Sequence, residues 1–171
     1  MTHTIYLAGG CFWGMQKFLD QFAGILSTET GYANGHTEKP TYEEVCTQTT
    51  GHTETVKVTY DDAIMPTAQL LDYYFMVIDP LSVNRQGGDA GTNYRTGIYY
   101  EDERLLTDIR KVVNSVADRL GKPLAVEVLP LQNFYPAEEY HQKYLDKNPG
   151  GYCHIRPAMM HLRQRLEEKK D

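Results

Sequence analysis

Three side chains far apart in this chain are the best candidates for chemistry: Cys11, Glu54 and Cys153. Cys11 lies in Gly10-Cys11-Phe12-Trp13-Gly14, directly after the apolar run Ile5-Tyr6-Leu7-Ala8. That order predicts a strand, a glycine turn and a helix start, with the thiol in the first helical turn. Unpaired backbone N–H groups and the positive end of the helix dipole favour a thiolate there. The plainer alternative is a small buried hydrophobe. Phe12 and Trp13, the single tryptophan, would give the sulfur an apolar wall.

Glu54 is singled out by parity. From Thr53 to Tyr60, Val56, Val58 and Tyr60 take one face of a strand, while Thr53, Thr55, Lys57 and Thr59 take the other. Glu54 shares the apolar parity. It is either an ordinary surface glutamate at a strand start or a desolvated carboxyl able to donate a proton near neutral pH. Cys153 sits in the Gly- and Pro-rich stretch Asn148-Pro149-Gly150-Gly151-Tyr152-Cys153. A second thiol on a mobile arm could resolve a sulfenic acid into a disulfide. It could equally be an incidental loop cysteine.

Around these, Tyr42, Asp89 and Tyr94 are polar residues at loop edges. Cys46 follows Val45 on a short helix and is expected to be buried and inert. His52, His141 and His154 raise the question of zinc, but no CxxC or HxxxH spacing accompanies them. A cysteine hydrolase pairing Cys11 with a histidine also remains open.

The elements that must position these residues follow from periodicity. Met15, Phe18, Leu19 and Phe22 have helical spacing, with Gly24 as a stop. Thr28–Ala33 reads as a strand, closed by Asn34-Gly35. Thr41 and Glu44 have capping-box spacing for a short helix. A helix starts near Thr67 and ends at Asp79-Pro80, and 81–93 is a long Gly/Asp/Asn-rich connection of a length that often carries function. Strands are expected over 94–100 and 124–129, and an amphipathic helix over 101–120 with Gly121 beyond it. A helix over 137–145 and a polar tail helix from about Pro157 complete the pattern. Interleaved helices and strands predict a mixed α+β two-layer domain.

At 171 residues the chain can build one domain with a real core. A hydrophobic fraction of 41% with 23% charged residues argues against disorder, and a net charge of −6 gives no reason to expect nucleic acid. Three cysteines are too few and too odd in number for a disulfide framework. With no membrane-length apolar stretch and no leader-like start, the expectation is a cytoplasmic protein, monomeric by default.

Taken together, the motifs resemble the peptide methionine sulfoxide reductase A family. The resemblance rests on Gly10–Gly14, Pro40-Thr41-Tyr42-Glu43-Glu44-Val45-Cys46, Gly51-His52-Thr53-Glu54, the run Arg85–Arg95, Ala137-Glu138-Glu139-Tyr140-His141-Gln142 and Asn148–Cys153. It implies a ferredoxin-like core within the α+β fold, a less regular C-terminal segment, a catalytic domain over 1–155 and a tail over 156–171. It also implies Cys11 as nucleophile, Glu54 as acid and Cys153 as resolving thiol. Phe12 and Trp13 would form the aromatic pocket, Tyr42 and Tyr94 would orient the sulfoxide, and Asp89 would be the supporting carboxylate. The implied substrate is the S epimer of methionine sulfoxide, free or in oxidised proteins. Thioredoxin is the implied reductant, and no cofactor or metal is needed. A thiol peroxidase or redox sensor using the same two cysteines is the alternative. The chain departs from many members at Ile78, where they carry histidine, and at Asn93, where they carry glutamine. No cysteine follows Cys153, which implies a two-cysteine cycle.

Overall fold

A computed structural model describes residues 1–169. Its centre is a six-stranded sheet, and the long connections between its strands carry the helices and a small second hairpin. The strands are β1 (Thr2–Ala8), β2 (Ile25–Ala33), β3 (Thr53–Asp61), β6 (Gly97–Tyr100), β7 (Glu127–Pro130) and β8 (Phe134–Pro136). A small separate hairpin is formed by β4 (Arg85–Gln86) and β5 (Asp89–Ala90). The sheet order is β7-β6-β1-β3-β2-β8, with only the β6–β7 pair parallel. The four central strands, β6-β1-β3-β2, have the βαββαβ order of a ferredoxin-like core. The α+β expectation therefore holds.

The helices are α1 (Phe12–Asp20), α2 (Tyr42–Cys46), α3 (Thr67–Met76), α4 (Leu106–Leu120), α5 (Tyr144–Lys147) and α6 (Leu162–Glu168). Strand alternation fixes which sheet face they cover. Ile5, Leu7, Val56, Val58, Tyr60 and Ile98 pack with Phe18 and Leu19 of α1, Leu70, Leu71 and Tyr74 of α3, and Ile109 of α4 in the main core. Tyr6, Ala8, Ala33 and Tyr99, of the opposite parity, form a smaller cluster under Leu131 and Phe134. Each buried Leu, Ile or Val contributes roughly 1.5–3 kcal/mol, so the register Leu7↔Val56 and Ala8↔Thr55 is strongly specified.

Four expectations need correction. The strand expected over 94–100 is confined to Gly97–Tyr100, because Thr92–Tyr94 forms a 3-10 turn whose Tyr94 carbonyl accepts the Gly10 N–H at 3.1 Å. The strand expected over 124–129 begins only at Glu127, since the Ala125 N–H donates to the Pro80 carbonyl outside the sheet. The helix expected over 137–145 is broken. Residues 139–141 form one 3-10 turn, Lys143 is left-handed at φ 55°, and α5 starts afterwards. Long-range side chains win over local propensity here: Gln142 bonds to both backbone groups of Thr30, and Gln16 Oε1 accepts the Lys143 N–H at 2.8 Å. Finally, Cys46 is exposed. In so short a helix only Val45 is fully buried, and Cys46, one residue further round, faces out.

Candidate active site

Cys11 is the N-cap of α1, in extended conformation at φ −66° and ψ 129°. A cysteine caps poorly, and the two amides at this helix start are taken by distant carboxyls instead. Asp89 Oδ2 accepts the Cys11 N–H at 3.3 Å, and Glu54 Oε1 accepts the Phe12 N–H at 3.1 Å. Strand β3 delivers Glu54 opposite Tyr32 of β2, and the β4–β5 hairpin delivers Asp89. Gln86 anchors that hairpin. Its amide accepts the Asp79 N–H at 2.7 Å and donates to the Asp79 carbonyl and Thr96 Oγ1.

Burial sets the protonation states. Glu54 is 1% exposed, and desolvation pushes its carboxyl up to about 8 despite the Phe12 amide, with the Asp89 charge adding to the rise. Its Oε2 is buried without a protein partner, so it is the oxygen available to a bound molecule. Cys11 is 7% exposed, and burial raises its thiol well above the ordinary cysteine range, helped by Glu54 and Asp89. The Trp13 backbone N–H acts in the opposite sense but more weakly. The thiolate expected from the helix start is therefore not the resting form.

An aromatic box closes one side. Trp13 stacks on Tyr144 with ring centroids 3.7 Å apart, and its Nε1–H donates to His141 Nδ1 at 2.9 Å. Phe12, Tyr42 and Tyr140 also pack on the His141 ring. His141 is fully buried, which lowers its basicity. In the neutral ring the proton must then sit on Nε2, which has no partner. Burial raises the phenols of both Tyr42 and Tyr94, and both stand near enough to Glu54 for its ionised form to add to the rise. Glu138 holds this wall in place, accepting the Tyr42 N–H at 3.0 Å and the Tyr32 hydroxyl at 2.8 Å.

Cys153 is half-buried, and both it and Cys11 are free thiols. Its sulfur accepts the Ile155 N–H at 3.4 Å and packs over Gly14, where a Cβ would come within 2.7 Å. A groove of about 430 Å³, lined by Lys17, Leu145, Pro149, Ile155 and Met160, leads to it. Cys11, Phe12, Trp13, Tyr42, Glu54, Asp89, Tyr94 and Cys153 thus all lie around one turn of α1. Reading the residues alone missed Glu138 and Tyr144, and weighed His141 only as a zinc ligand or a hydrolase base. The run Ala137–Gln142 held the signal for Glu138 and His141, but isolated glutamates and histidines reveal no partner. Among the described residues, no group of three His, Cys, Asp or Glu side chains is placed to hold a metal ion.

A buried thiol, a neutral carboxyl and a second thiol on an adjoining loop are the parts of a two-thiol redox site. Comparison with known proteins agrees. The model of the family described as peptide methionine sulfoxide reductase matches residues 3–171, the tail included. A relative from Lachnoclostridium phytofermentans, peptide methionine sulfoxide reductase MsrA, is 59% identical over 155 residues, covering 91% of this chain and 93% of its own. The protein of that name from Clostridium acetobutylicum is 53% identical over 151 residues, 88% of this chain and 93% of its own. The crystal structure of reduced Mxr1 from Saccharomyces cerevisiae superposes with a TM-score of 0.85 at 35% identity, covering 91% of each chain. The chain belongs to the peptide methionine sulfoxide reductase family.

Proposed function

We propose that this chain reduces the S epimer of methionine sulfoxide, free or in oxidised proteins, through a Cys11–Cys153 cycle recycled by thioredoxin. The observation that carries the reading is Glu54: a buried carboxyl, protonated at neutral pH, bonded to the amide next to the thiol.

A sulfoxide sulfur is a poor electrophile until its oxygen is protonated or strongly hydrogen-bonded. Glu54 Oε2 supplies the acid, and the hydroxyls of Tyr42 and Tyr94 orient the oxygen. Phe12 and Trp13 receive the substrate's methyl group. Asp89 supports the turn by holding the Cys11 amide. Because the resting thiol is protonated, Glu54 takes up the Cys11 proton as it gives its own to the substrate oxygen, so no net charge builds up in the buried site. The Cys11 sulfur attacks the sulfoxide sulfur and ends bonded to oxygen as a sulfenic acid, oxidised by two electrons, while methionine leaves reduced by two. Cys153 then displaces that oxygen as water and forms the disulfide. A thioredoxin thiolate attacks the disulfide at Cys153, which is reached from the groove described above. Such a cycle requires a compartment where thioredoxin is kept reduced, which fits the cytoplasm.

The test is reduction of separated methionine sulfoxide epimers with thioredoxin as donor, alongside Cys11→Ser with dithiothreitol. Consumption of the S epimer only, abolished by Cys11→Ser, is expected. Activity retained in Cys11→Ser, or rapid peroxide consumption with indifference to the sulfoxide, would overturn the reading.

A further inference from the structure

The arm carrying Cys153 is seated against the Cys11 turn by its neighbours as well as by its sulfur. Gly10 has φ +73°, and a Cβ there would lie 2.8 Å from the His154 ring. Gly14 leaves the matching space for Cys153 Sγ. Consecutive side chains of the arm therefore occupy two notches, one on each side of Cys11.

Both neighbours of Cys153 also converge on Asp89. His154 Nδ1 lies 3.4 Å from Asp89 Oδ2, the oxygen that accepts the Cys11 N–H. The Tyr152 hydroxyl lies over the same hairpin, 3.3 Å from where a Cβ on Gly88 would stand, and after burial the nearby Asp89 carboxylate raises its phenol further. The His154 side chain is 3% exposed, yet neither ring nitrogen has a hydrogen-bond partner. A buried imidazole left unpaired is not what a purely structural histidine achieves. At 3.4 Å with no bond made, the arm is seated without being locked.

We propose that His154 is the positioning residue of the disulfide-forming step. Together with Tyr152 it docks the Cys153 arm on Asp89 and holds Cys153 Sγ above the first turn of α1. The proposal rests on the two-cysteine cycle above. In that step the Cys153 S–H bond and the Cys11 S–O bond break, and an S–S bond forms. The proton leaves with the hydroxyl as water, the Cys11 sulfur is reduced and Cys153 is oxidised. His154 acts by placing one sulfur against the other. It does not touch the sulfoxide.

The experiment follows one turnover of the full chain by rapid quench, reading methionine release, thiol loss and trapping of sulfenic acid by a 1,3-diketone. In His154→Leu, disulfide formation should slow by about ten-fold or more beyond any change in methionine release, with sulfenic acid accumulating. His154→Gln keeps a donor able to reach Asp89 and should recover most of that loss. Tyr152→Phe should slow the step by a smaller factor. Disulfide formation keeping pace with methionine release in His154→Leu would overturn the proposal, as would equal slowing in the leucine and glutamine variants. If His154→Leu fails to fold, Tyr152→Phe decides, and an unchanged disulfide rate there rejects the docking. A wild-type chain that releases no methionine, or forms no Cys11–Cys153 disulfide, would instead defeat the cycle itself.

Discussion

An ordinary glutamate is ionised at neutral pH and cannot donate a proton, whereas Glu54 is held near 8 by burial. Glu54→Gln keeps the shape and the acceptor for the Phe12 amide but removes the acid. The reduction step should fall by roughly 10²–10⁴ while circular dichroism stays native. In the wild type, the single-turnover rate should decline as pH rises through about 8, and this limb should vanish in Glu54→Gln. Stability obeys the same sign. The folded carboxyl holds its proton to a higher pH than the unfolded one, so the wild type loses stability from its ordinary range near 4.5 up to about 8. Thermal melts across that window should show a slope in the wild type that is flatter in Glu54→Gln. At Cys153 the expectation is different. Cys153→Ser should release about one methionine per chain and then stall with thioredoxin, and normal thioredoxin-driven turnover would assign resolution elsewhere.

At the scale of elements, α2 shows how a five-residue helix can hold a site residue. Thr41 Oγ1 accepts the Glu44 N–H and Glu44 returns the bond to Thr41 N, while Glu138 grips Tyr42 from across the site. Thr41→Ala should cost about 1 kcal/mol in urea unfolding. It should also raise KM for the sulfoxide several-fold with little change in kcat, because Tyr42 is loosened while Glu54 is untouched. This helix was legible in the sequence, since a capping box is a local code. So was β3, whose alternation placed Glu54 inward. The break at Lys143 was not legible, because Gln16 lies 127 residues away. The face of Cys46 was not legible either, since one residue of helix phase decides it. The aromatic box around His141 needs four elements at once, and only the resemblance to a family marked the run that supplies it.

For the whole molecule, the C-terminal tail is continuous with the core. Leu162 of α6 is 8% exposed within the main apolar cluster, the Met159 carbonyl accepts from Gln21, and Arg163 bonds back to Gln21. Leu162→Ala should lower unfolding stability by about 2–3 kcal/mol and shift one cooperative urea transition as a whole. A tail folding independently would leave the main midpoint where it was.

The two carboxyls that cap α1 from outside also bear on how the chain folds. Their contacts to Cys11 and Phe12 span 78 and 42 residues, so the first turn of α1 cannot be completed by its own neighbourhood. It closes only after β3 and the β4–β5 hairpin have docked, and such non-local closures come late in folding. The thiol therefore reaches its working surroundings as one of the last acts of folding, and a half-made chain displays an ordinary cysteine.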